Sequence, residues 1–224
     1  MTHAPSSSPA IGAQPGLSGA LVGDPVAPLR NFVVEMTRLV ERMNREPEIL
    51  SEGQALLARL VAQDNWLPER FAQPHPQFYQ QYLLHSDPYE RFCIVSFVWG
   101  PGQETPIHDH TVWGLVGVLR GAERALNYVH ENGKLRPTGE VELLRAGEVA
   151  MVSPSIGDIH AVSNAFDDRP SISIHVYGGN IGAIHRHVFD RETGAIKAFV
   201  SGYSAEMTPN LWDRSAQIRA AMEA

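Results

Sequence analysis

Short β-rich runs dominate residues 77–200 and constrain the fold more than any other feature. Each run is rich in β-branched and aromatic residues and is interrupted by Gly, Pro, Asn or Asp. Examples are RFCIVSFVWG, VWGLVGVLRG, GEVAMVS and SISIHVYGG. Short strands separated by turn residues are typical of an antiparallel sandwich or barrel. We therefore predict a mainly β fold for this part of the chain.

Helical periodicity is confined to the N-terminal part of the chain. Apolar residues recur at three- and four-residue intervals over residues 29–45, which predicts an amphipathic helix. The sequence SEGQ at residues 51–54 resembles a capping box and predicts the start of a second helix. We expect a mobile tail at residues 1–27, a helical segment at 28–75, the β domain at 76–205 and an extension at 206–224, with a short helix near Asn210.

Composition excludes several classes of partner. The net charge of −7 argues against nucleic acid and anionic membrane surfaces, although a local arginine can still bind a small anion. Cys93 is the only cysteine, so an internal disulfide is impossible and a reducing cytoplasm is the expected location. The sequence shows no secretory signal and no apolar run that could span a bilayer.

Two histidines two residues apart provide the first candidate for chemistry. In a strand, His108 and His110 project from the same face, while Ile107 and Asp109 lie on the other. Two imidazoles on one face can form half of a metal site. This spacing alone is a weak signal, because histidine pairs also occur on solvated strands.

The residues around this pair resemble the first cupin motif, and a later segment resembles the second. The first motif is carried by Gly102, His108, His110 and Gly121, and the second by Gly147, Pro154, Gly157, His160 and Asn164. The resemblance implies a cupin double-stranded β-helix with N-terminal helices, and it makes His160 the third metal ligand.

Gly114 stands where many cupins carry a glutamate ligand. The resemblance therefore implies a site of three neutral histidines. Such ligands leave a divalent ion its full charge and open positions, which favours direct binding of an anionic substrate.

The segment SISIHVY places Ser173, His175 and Tyr177 on one strand face. Spacing alone favours an outer strand with its polar face in water. Directly after the second cupin motif, the same order instead suggests a hydrogen-bonded relay that orients the tyrosine hydroxyl. Together the motifs resemble the thiol dioxygenases of the cysteine dioxygenase family over roughly residues 70–200. That resemblance implies Fe(2+) held by the three histidines, with this triad beside it.

Departures from the animal-type enzymes point to one branch of the family. Gly114 replaces the cysteine that cross-links to the triad tyrosine, so no cross-linked cofactor is expected. Gln80 and Gln81 stand where the animal-type enzymes have a carboxylate-binding arginine, and Arg186 follows the triad instead. This pattern resembles the bacterial Gln-type branch, represented by 3-mercaptopropionate dioxygenase, and it implies that Arg186 binds a carboxylate.

The resemblance therefore implies an enzyme that oxidises a short thiol carboxylic acid with O2 to its sulfinic acid. The first candidate is 3-mercaptopropionate. Cysteine and mercaptosuccinate remain alternatives, as does a non-catalytic or isomerase-type cupin that binds a small carboxylate.

Overall fold

The computed structural model describes residues 23–222, so the tail expected at residues 1–27 falls almost wholly outside the described part. The strands pair antiparallel into two sheets, which confirms the mainly β fold. In chain order the elements are helices α1 (Ala27–Arg42) and α2 (Glu46–Val61), a 3-10 turn (Glu69–Phe71), strands β1 (Gln80–Ser86), β2 (Cys93–Trp99), β3 (Ile107–His108), β4 (Gly114–Arg120), β5 (Ala122–Glu131), β6 (Lys134–Arg145), β7 (Val149–Val152), β8 (Ile159–Asn164), β9 (Ser171–Tyr177), β10 (Arg186–Phe189) and β11 (Ile196–Phe199), and helix α3 (Ser215–Met222).

Helix α2 begins upstream of the predicted capping box. The SEGQ segment lies inside the helix, so the prediction that it opens the helix is wrong. Pro47 occupies the first turn, where its missing N–H costs no hydrogen bond. Glu46 and Glu48 place negative charge at the positive end of the helix dipole. These features start the helix at Glu46 without a side-chain cap.

The C-terminal helix begins later than the sequence pattern indicates. Leu211 is buried in the core, and its carbonyl oxygen accepts a hydrogen bond from Arg30 Nη1 at 2.9 Å. These contacts prevent a helix from starting near Asn210. Helix α3 instead starts at Ser215 and belongs to a compact unit separate from residues 25–213. Among the helices of residues 23–222, none is long and apolar enough to cross a membrane.

The two sheets bring distant parts of the chain together. The first sheet has the strand order β1-β2-β9-β4-β7, and the second has the order β11-β10-β3-β8-β5-β6. The short strand β3 therefore lies between β8 and β10, although both follow it by many residues. This crossover places the two predicted histidine motifs on adjacent strands.

Strand β9 is buried on both faces, which decides between the two readings of the SISIHVY segment. Ile172, Ile174 and Val176 pack in the core that also contains Leu57 and Leu60 of α2. The opposite face carries Ser173, His175 and Tyr177, and none of these side chains is exposed. The alternative of an outer strand with its polar face in water is therefore wrong, because the polar face is buried inside the protein.

Glycines allow the helix to approach the first sheet closely. A Cβ atom on Gly117 of β4 would lie 2.9 Å from Leu57 Cγ, and a Cβ atom on Gly53 of α2 would lie 2.8 Å from Leu115 Cδ1. Larger residues at either position would push α2 away from the sheet. The two glycines therefore help to close the apolar core over the strand that carries the triad.

Candidate metal centre

Three histidines form one buried cluster. His108 ends strand β3, and His160 lies directly opposite it on β8. His110 lies just beyond β3, and the three ring centroids are 4.8 to 4.9 Å apart. One candidate ligand nitrogen from each ring lies within 4.8 Å of the others. The structure thus brings together the three residues that the sequence motifs nominate.

Neighbouring oxygen atoms fix the tautomers of two of these rings. His108 Nδ1 lies 3.0 Å from the Pro106 carbonyl oxygen. His110 Nδ1 lies 3.0 Å from Asp158 Oδ1. A carbonyl or carboxylate oxygen only accepts, so each Nδ1 carries the proton and each Nε2 keeps a free lone pair. Metal-binding histidines commonly have this arrangement, since the outer hydrogen bond also orients the ring.

Asp158 also anchors the backbone after the histidine pair. Its carboxylate accepts hydrogen bonds from the backbone N–H groups of His110 and Thr111, at 3.1 Å and 2.9 Å. Thr111 has a φ of +59°, an uncommon conformation for a β-branched residue. Burial would raise the pKa of Asp158, but its hydrogen bonds to His110 and Thr111 lower that pKa below its usual value. The carboxylate therefore stays charged and holds the strained turn that aims His110.

Burial favours the neutral forms of His108 and His160. Burial, together with the nearby His110, lowers the pKa of His108 to about 3. Burial likewise holds the pKa of His160 well below its ordinary value. Neutral imidazoles keep the lone pairs that a metal ion needs. Three close, neutral nitrogen ligands without a carboxylate fit a divalent transition-metal ion that retains open positions.

The triad residues are hydrogen-bonded in sequence along β9. Ser173 Oγ lies 2.7 Å from His175 Nε2, and His175 Nδ1 lies 2.7 Å from the Tyr177 hydroxyl. Burial holds the pKa of His175 well below its usual value and raises that of Tyr177, so both are neutral near pH 7. The Tyr177 ring stacks on the His110 ring, with centroids 5.5 Å apart. The relay therefore ends beside the histidine cluster.

Gly114 and Cys93 flank Tyr177 on the two neighbouring strands. Both are its direct cross-strand partners, on β4 and β2 respectively. A Cβ atom on Gly114 would lie 3.0 Å and 3.2 Å from Tyr177 Cδ1 and Cε1. A side chain at Gly114 would thus meet the tyrosine ring edge. Cys93 is closer to Tyr177 than its place on an earlier strand indicates, but burial raises its thiol pKa to about 11.

A cavity of about 220 Å³ joins the cluster to a buried arginine. His108 and Arg186 both line it, together with aromatic and aliphatic side chains. Arg186 is 3% exposed, donates from Nη2 to Ser201 Oγ at 2.7 Å and lies 4.7 Å from the centre of the Phe199 ring. Its buried Nε has no hydrogen-bond partner among the described residues. The free donor and the positive charge suit a carboxylate ligand.

The structure separates the two candidate glutamines. Gln81 lines the cavity. The Gln80 side chain instead donates to the backbone carbonyl oxygens of Phe78 and Tyr79, at 3.0 Å and 3.2 Å. Adjacent residues of a strand point to opposite faces, so only one of the pair can face the cavity.

Sequence reasoning missed several residues around the site. Asp158 lies two residues before His160, and its position inside the second motif was the available signal. Ser201 and Lys197 reach the arginine and the cavity from β11 and the segment after it, which no motif covers. Glu123 is buried near Ser173, although its neighbours in sequence show no sign of this.

Comparisons with known proteins identify relatives and similar folds. The chain is 30% identical over 109 residues to "Cysteine dioxygenase type 1" from Homo sapiens, and 28% identical over 107 residues to that from Rattus norvegicus. Each alignment covers 46% of this chain and 52% of the relative, so the chain spans about half the length of these curated relatives.

The solved structures that resemble this chain share little sequence with it. One is an uncharacterized conserved protein with a double-stranded β-helix domain from Klebsiella pneumoniae, at TM-score 0.39 and 20% identity, covering 58% of this chain and 91% of that one. Another is a cupin superfamily protein from Desulfitobacterium hafniense, at TM-score 0.37 and 14% identity, covering 55% and 88%.

The family comparison covers both the histidine cluster and the triad. The family model described as "Cysteine dioxygenase type I" matches residues 28–192, well over half of the chain. That range includes α1 except for its first residue, all of α2, every strand from β1 to β10, and Arg186. The chain therefore belongs to the cysteine dioxygenase type I family.

Proposed function

We propose that this protein is an iron(II)-dependent thiol dioxygenase. It would use O2 to oxidise a short thiol carboxylic acid to the corresponding sulfinic acid, and the first candidate substrate is 3-mercaptopropionate. The observation that carries the proposal is the cavity shared by His108 and Arg186. A thiol at one end of a small substrate and a carboxylate at the other match a metal-binding cluster and a buried guanidinium. The reaction R–SH + O2 → R–SO2H is balanced without another co-reactant.

The metal would be held by His108, His110 and His160. Iron(II) bound there would favour the thiolate form of the substrate and supply the redox chemistry for O2. Histidine ligands alone do not select iron over zinc or nickel. The choice of iron rests on the family to which the chain belongs.

Arg186 is proposed to bind the substrate carboxylate. Its Nη2 is already bound to Ser201, which fixes the guanidinium and leaves Nε free to donate. A fixed guanidinium loses little conformational entropy on binding, so it both attracts and orients the substrate. Gln81 lines the same cavity and is proposed to assist with a further hydrogen bond.

Tyr177 is proposed to form a hydrogen bond with the reacting substrate, oriented by His175 and Ser173. Its hydroxyl is tied to His175 Nδ1 and is buried beside the His110 ring. A preorganised hydroxyl in a dry site stabilises developing charge better than water does. The raised pKa keeps Tyr177 protonated, so it acts as a neutral partner.

The charges around the cavity favour a thiol acid without an amino group. Arg186 and Lys197 both line it, and of its described lining residues none is Asp or Glu. Cysteine would bring an ammonium group close to these two cations. The ammonium group would be repelled by them and would also lose its hydration on entering the cavity. 3-Mercaptopropionate has the same thiol and carboxylate without that cost, so we propose it ahead of cysteine.

Lys197 supports a second candidate substrate. It is one of only two lysines in the chain, and it lies on β11 opposite Val188, which also lines the cavity. Two cations in one cavity could bind two carboxylates. Mercaptosuccinate, a dicarboxylic thiol, is therefore the alternative substrate that the charges favour.

Oxygen uptake by the iron-loaded protein, with identification of the product, tests this proposal. Uptake matched by sulfinate formation would support it. A protein that binds these acids but consumes no oxygen with any thiol would instead be a non-catalytic or isomerase-type cupin.

A further inference from the structure

Residues 200–204, here called the closing segment, connect the edge strands of the two sheets beside the cavity. Strand β11 is at the edge of the second sheet, and β1 is at the edge of the first. The chain leaves β11 at Phe199, and Ser204 then pairs with Gln81 of β1. Phe199 and Gln81 both line the cavity, so the closing segment bridges two of its walls. It lies beyond residues 28–192, which match the family.

Ser201 of the closing segment holds the buried arginine. Its Oγ accepts a hydrogen bond from Arg186 Nη2 at 2.7 Å and donates to the Gly202 carbonyl oxygen at 3.2 Å. A hydroxyl has a single proton, so the bond to Gly202 leaves the lone pairs of Oγ for the guanidinium. The orientation of Arg186 therefore depends on the backbone position of Ser201 and Gly202.

Ser204 attaches the other end of the closing segment to β1. Its backbone N–H donates to the Gln81 carbonyl oxygen at 2.8 Å, and its Oγ accepts from the Gln81 backbone N–H at 2.8 Å. These bonds satisfy both backbone groups of Gln81 at the edge of the sheet. The segment that holds Arg186 therefore also holds the residue that lines the cavity from β1.

Tyr203 lies between the two serines and anchors the closing segment. Its ring packs against the apolar cluster that contains Phe97 and Tyr177. The ring also lies against Gly182, where a Cβ atom would be 2.4 Å from Tyr203 Cε2. The Tyr203 hydroxyl accepts from the Gly182 backbone N–H at 3.1 Å and donates to Asn180 Oδ1 at 2.6 Å. Glycine at position 182 therefore makes the room that this ring needs.

Gly182 fixes the closing segment relative to the strand that carries the arginine. Its carbonyl oxygen accepts from the Gly202 backbone N–H at 3.0 Å, so both of its backbone groups bind the segment. Gly182 lies in the loop that joins Tyr177, the end of β9, to Arg186, the start of β10. The contact between Gly182 and Tyr203 thus sets the distance between this loop and Ser201.

We propose that Tyr203 is a positioning residue for the carboxylate site: seated against Gly182, it holds the closing segment so that Ser201 orients Arg186. This role rests on the proposed function, in which Arg186 binds the substrate carboxylate. Tyr203 is not among the described residues that line the cavity, so it acts through Ser201. A guanidinium held in one orientation loses less conformational entropy on binding than a loosened one does.

Removing the anchor should impair the use of thiol acids and spare a thiol without a carboxylate. In Tyr203→Ala we expect kcat/KM for 3-mercaptopropionate to fall by about ten- to a hundredfold, because misplacing a substrate-binding group has an effect of this size. The value for cysteamine should stay nearly unchanged, and so should the iron content. Tyr89→Ala is the matched control, since Tyr89 is 81% exposed.

Carboxylate binding provides a readout that needs no turnover. Propionate has the carboxylate but no thiol, and isothermal titration calorimetry without O2 measures its binding to the full-length, iron-loaded protein. We expect the Kd for propionate to rise by about tenfold in Tyr203→Ala and in Gly182→Ala, whose Cβ atom would displace the ring. Arg186→Ala should weaken propionate binding more than either variant does.

Two double variants separate positioning from a general loss of stability. Tyr203→Ala removes the ring that Gly182→Ala would displace, so the double variant should bind propionate no more weakly than Tyr203→Ala alone. In an Arg186→Ala protein, adding Tyr203→Ala should have little further effect on kcat/KM for 3-mercaptopropionate. Additive losses in either pair would overturn the proposed role of Tyr203.

Equal losses for 3-mercaptopropionate and cysteamine in Tyr203→Ala would assign this residue to stability alone. Propionate binding that is absent, or that Arg186→Ala leaves unchanged, would also overturn the proposed role, since there would be no carboxylate site to position. If Tyr203→Ala does not fold, Tyr203→Phe decides in its place, because it keeps the ring and loses both hydrogen bonds of the hydroxyl. Weaker propionate binding in these variants, in a protein that oxidises no thiol, would support the role of Tyr203 and reject the proposed function.

Discussion

The Tyr177 ring lies nearly parallel to the His110 ring, with centroids 5.5 Å apart and an angle of 22° between the planes. This contact connects the last residue of strand β9 to the loop after β3. A hydrogen bond orients each residue: Tyr177 is bonded to His175, and His110 is bonded to Asp158. The last residue of the relay therefore lies directly against one of the three candidate metal ligands.

Removing one cluster histidine should abolish stable metal binding. In His160→Ala only two imidazoles remain, and no carboxylate lies in the cluster to replace the third. Elemental analysis after iron loading should show the metal lost, because each ligand contributes strongly to affinity. His130→Ala is the matched control, since His130 bonds to the Gly194 carbonyl oxygen away from the cluster. Full iron content in His160→Ala would remove His160 from the site.

Removing the tyrosine hydroxyl should slow turnover without releasing the metal. Tyr177→Phe keeps the ring stacked on His110 but loses one preorganised hydrogen bond. We expect kcat to fall by roughly one to two orders of magnitude, with iron content unchanged. Tyr82→Phe is the control, because its hydroxyl bonds to the Gln73 carbonyl oxygen elsewhere. Equal rates in Tyr177→Phe and the unaltered protein would exclude a role for the hydroxyl.

The protein should contain no thioether bond to Tyr177. Gly114 has no thiol, and the buried Cys93 thiol is held protonated by a pKa of about 11. Intact mass after turnover should match the sequence. A deficit of two hydrogen atoms that is absent in Cys93→Ser would show that the neighbouring strand supplies a cross-link after all.

Truncating the buried arginine should affect only substrates with a carboxylate. Arg186→Ala should lower kcat/KM for 3-mercaptopropionate. The loss should correspond to a rise of about 2–4 kcal/mol in the activation free energy, as expected when one partner of a buried charged pair is removed. Cysteamine, which lacks a carboxylate, should be a poor substrate and nearly indifferent to the change. Oxygen uptake measures both, and the exposed Arg191→Ala serves as control. Equal losses for the two thiols would mean that Arg186 supports the fold only.

The buried Glu123 should make stability depend on pH. Its folded pKa of about 7 lies above the ordinary value of 4.5, so its favourable contribution is complete below pH 4.5 and is lost as the pH rises to about 7. Relative to Glu123→Gln, the unaltered protein should lose about 3 kcal/mol of unfolding free energy over that interval. Urea unfolding of both proteins at several pH values measures this difference. A constant difference between them would contradict the raised pKa.

The sequence predicts those helices and strands whose residues follow a regular apolar spacing or match a known motif. The apolar spacing of α1 follows from its one buried face, and the alternation of SISIHVY follows from one apolar and one polar strand face; both patterns are visible in the local sequence. The capping-box pattern at residues 51–54 does not mark the start of α2, because such a pattern also fits inside a helix. The burial of β9 on both faces was not predictable from the strand, because it depends on the helices that cover it.

Residues that reach the site through tertiary packing left no local signal. Glu123 and Arg124 are adjacent charged residues on one strand, and alternation alone does not tell which of them faces inward. The structure buries Glu123 and exposes Arg124. Lys197 and Ser201 similarly contribute to the cavity only because β11 pairs with β10. The sequence indicates that Gln80 or Gln81 lines the cavity, but it does not show which of the two does so.

Oxygen uptake by the iron-loaded protein with 3-mercaptopropionate, cysteine, mercaptosuccinate and cysteamine, measured alongside sulfinate formation, tests the proposed thiol dioxygenase activity. We expect one O2 to be consumed for each sulfinate formed, with a higher kcat/KM for a thiol acid that lacks an amino group than for cysteine. A preference for cysteine would contradict the assignment of the cavity charges while leaving a thiol dioxygenase. No iron-dependent uptake with any of these thiols would contradict the proposed function itself.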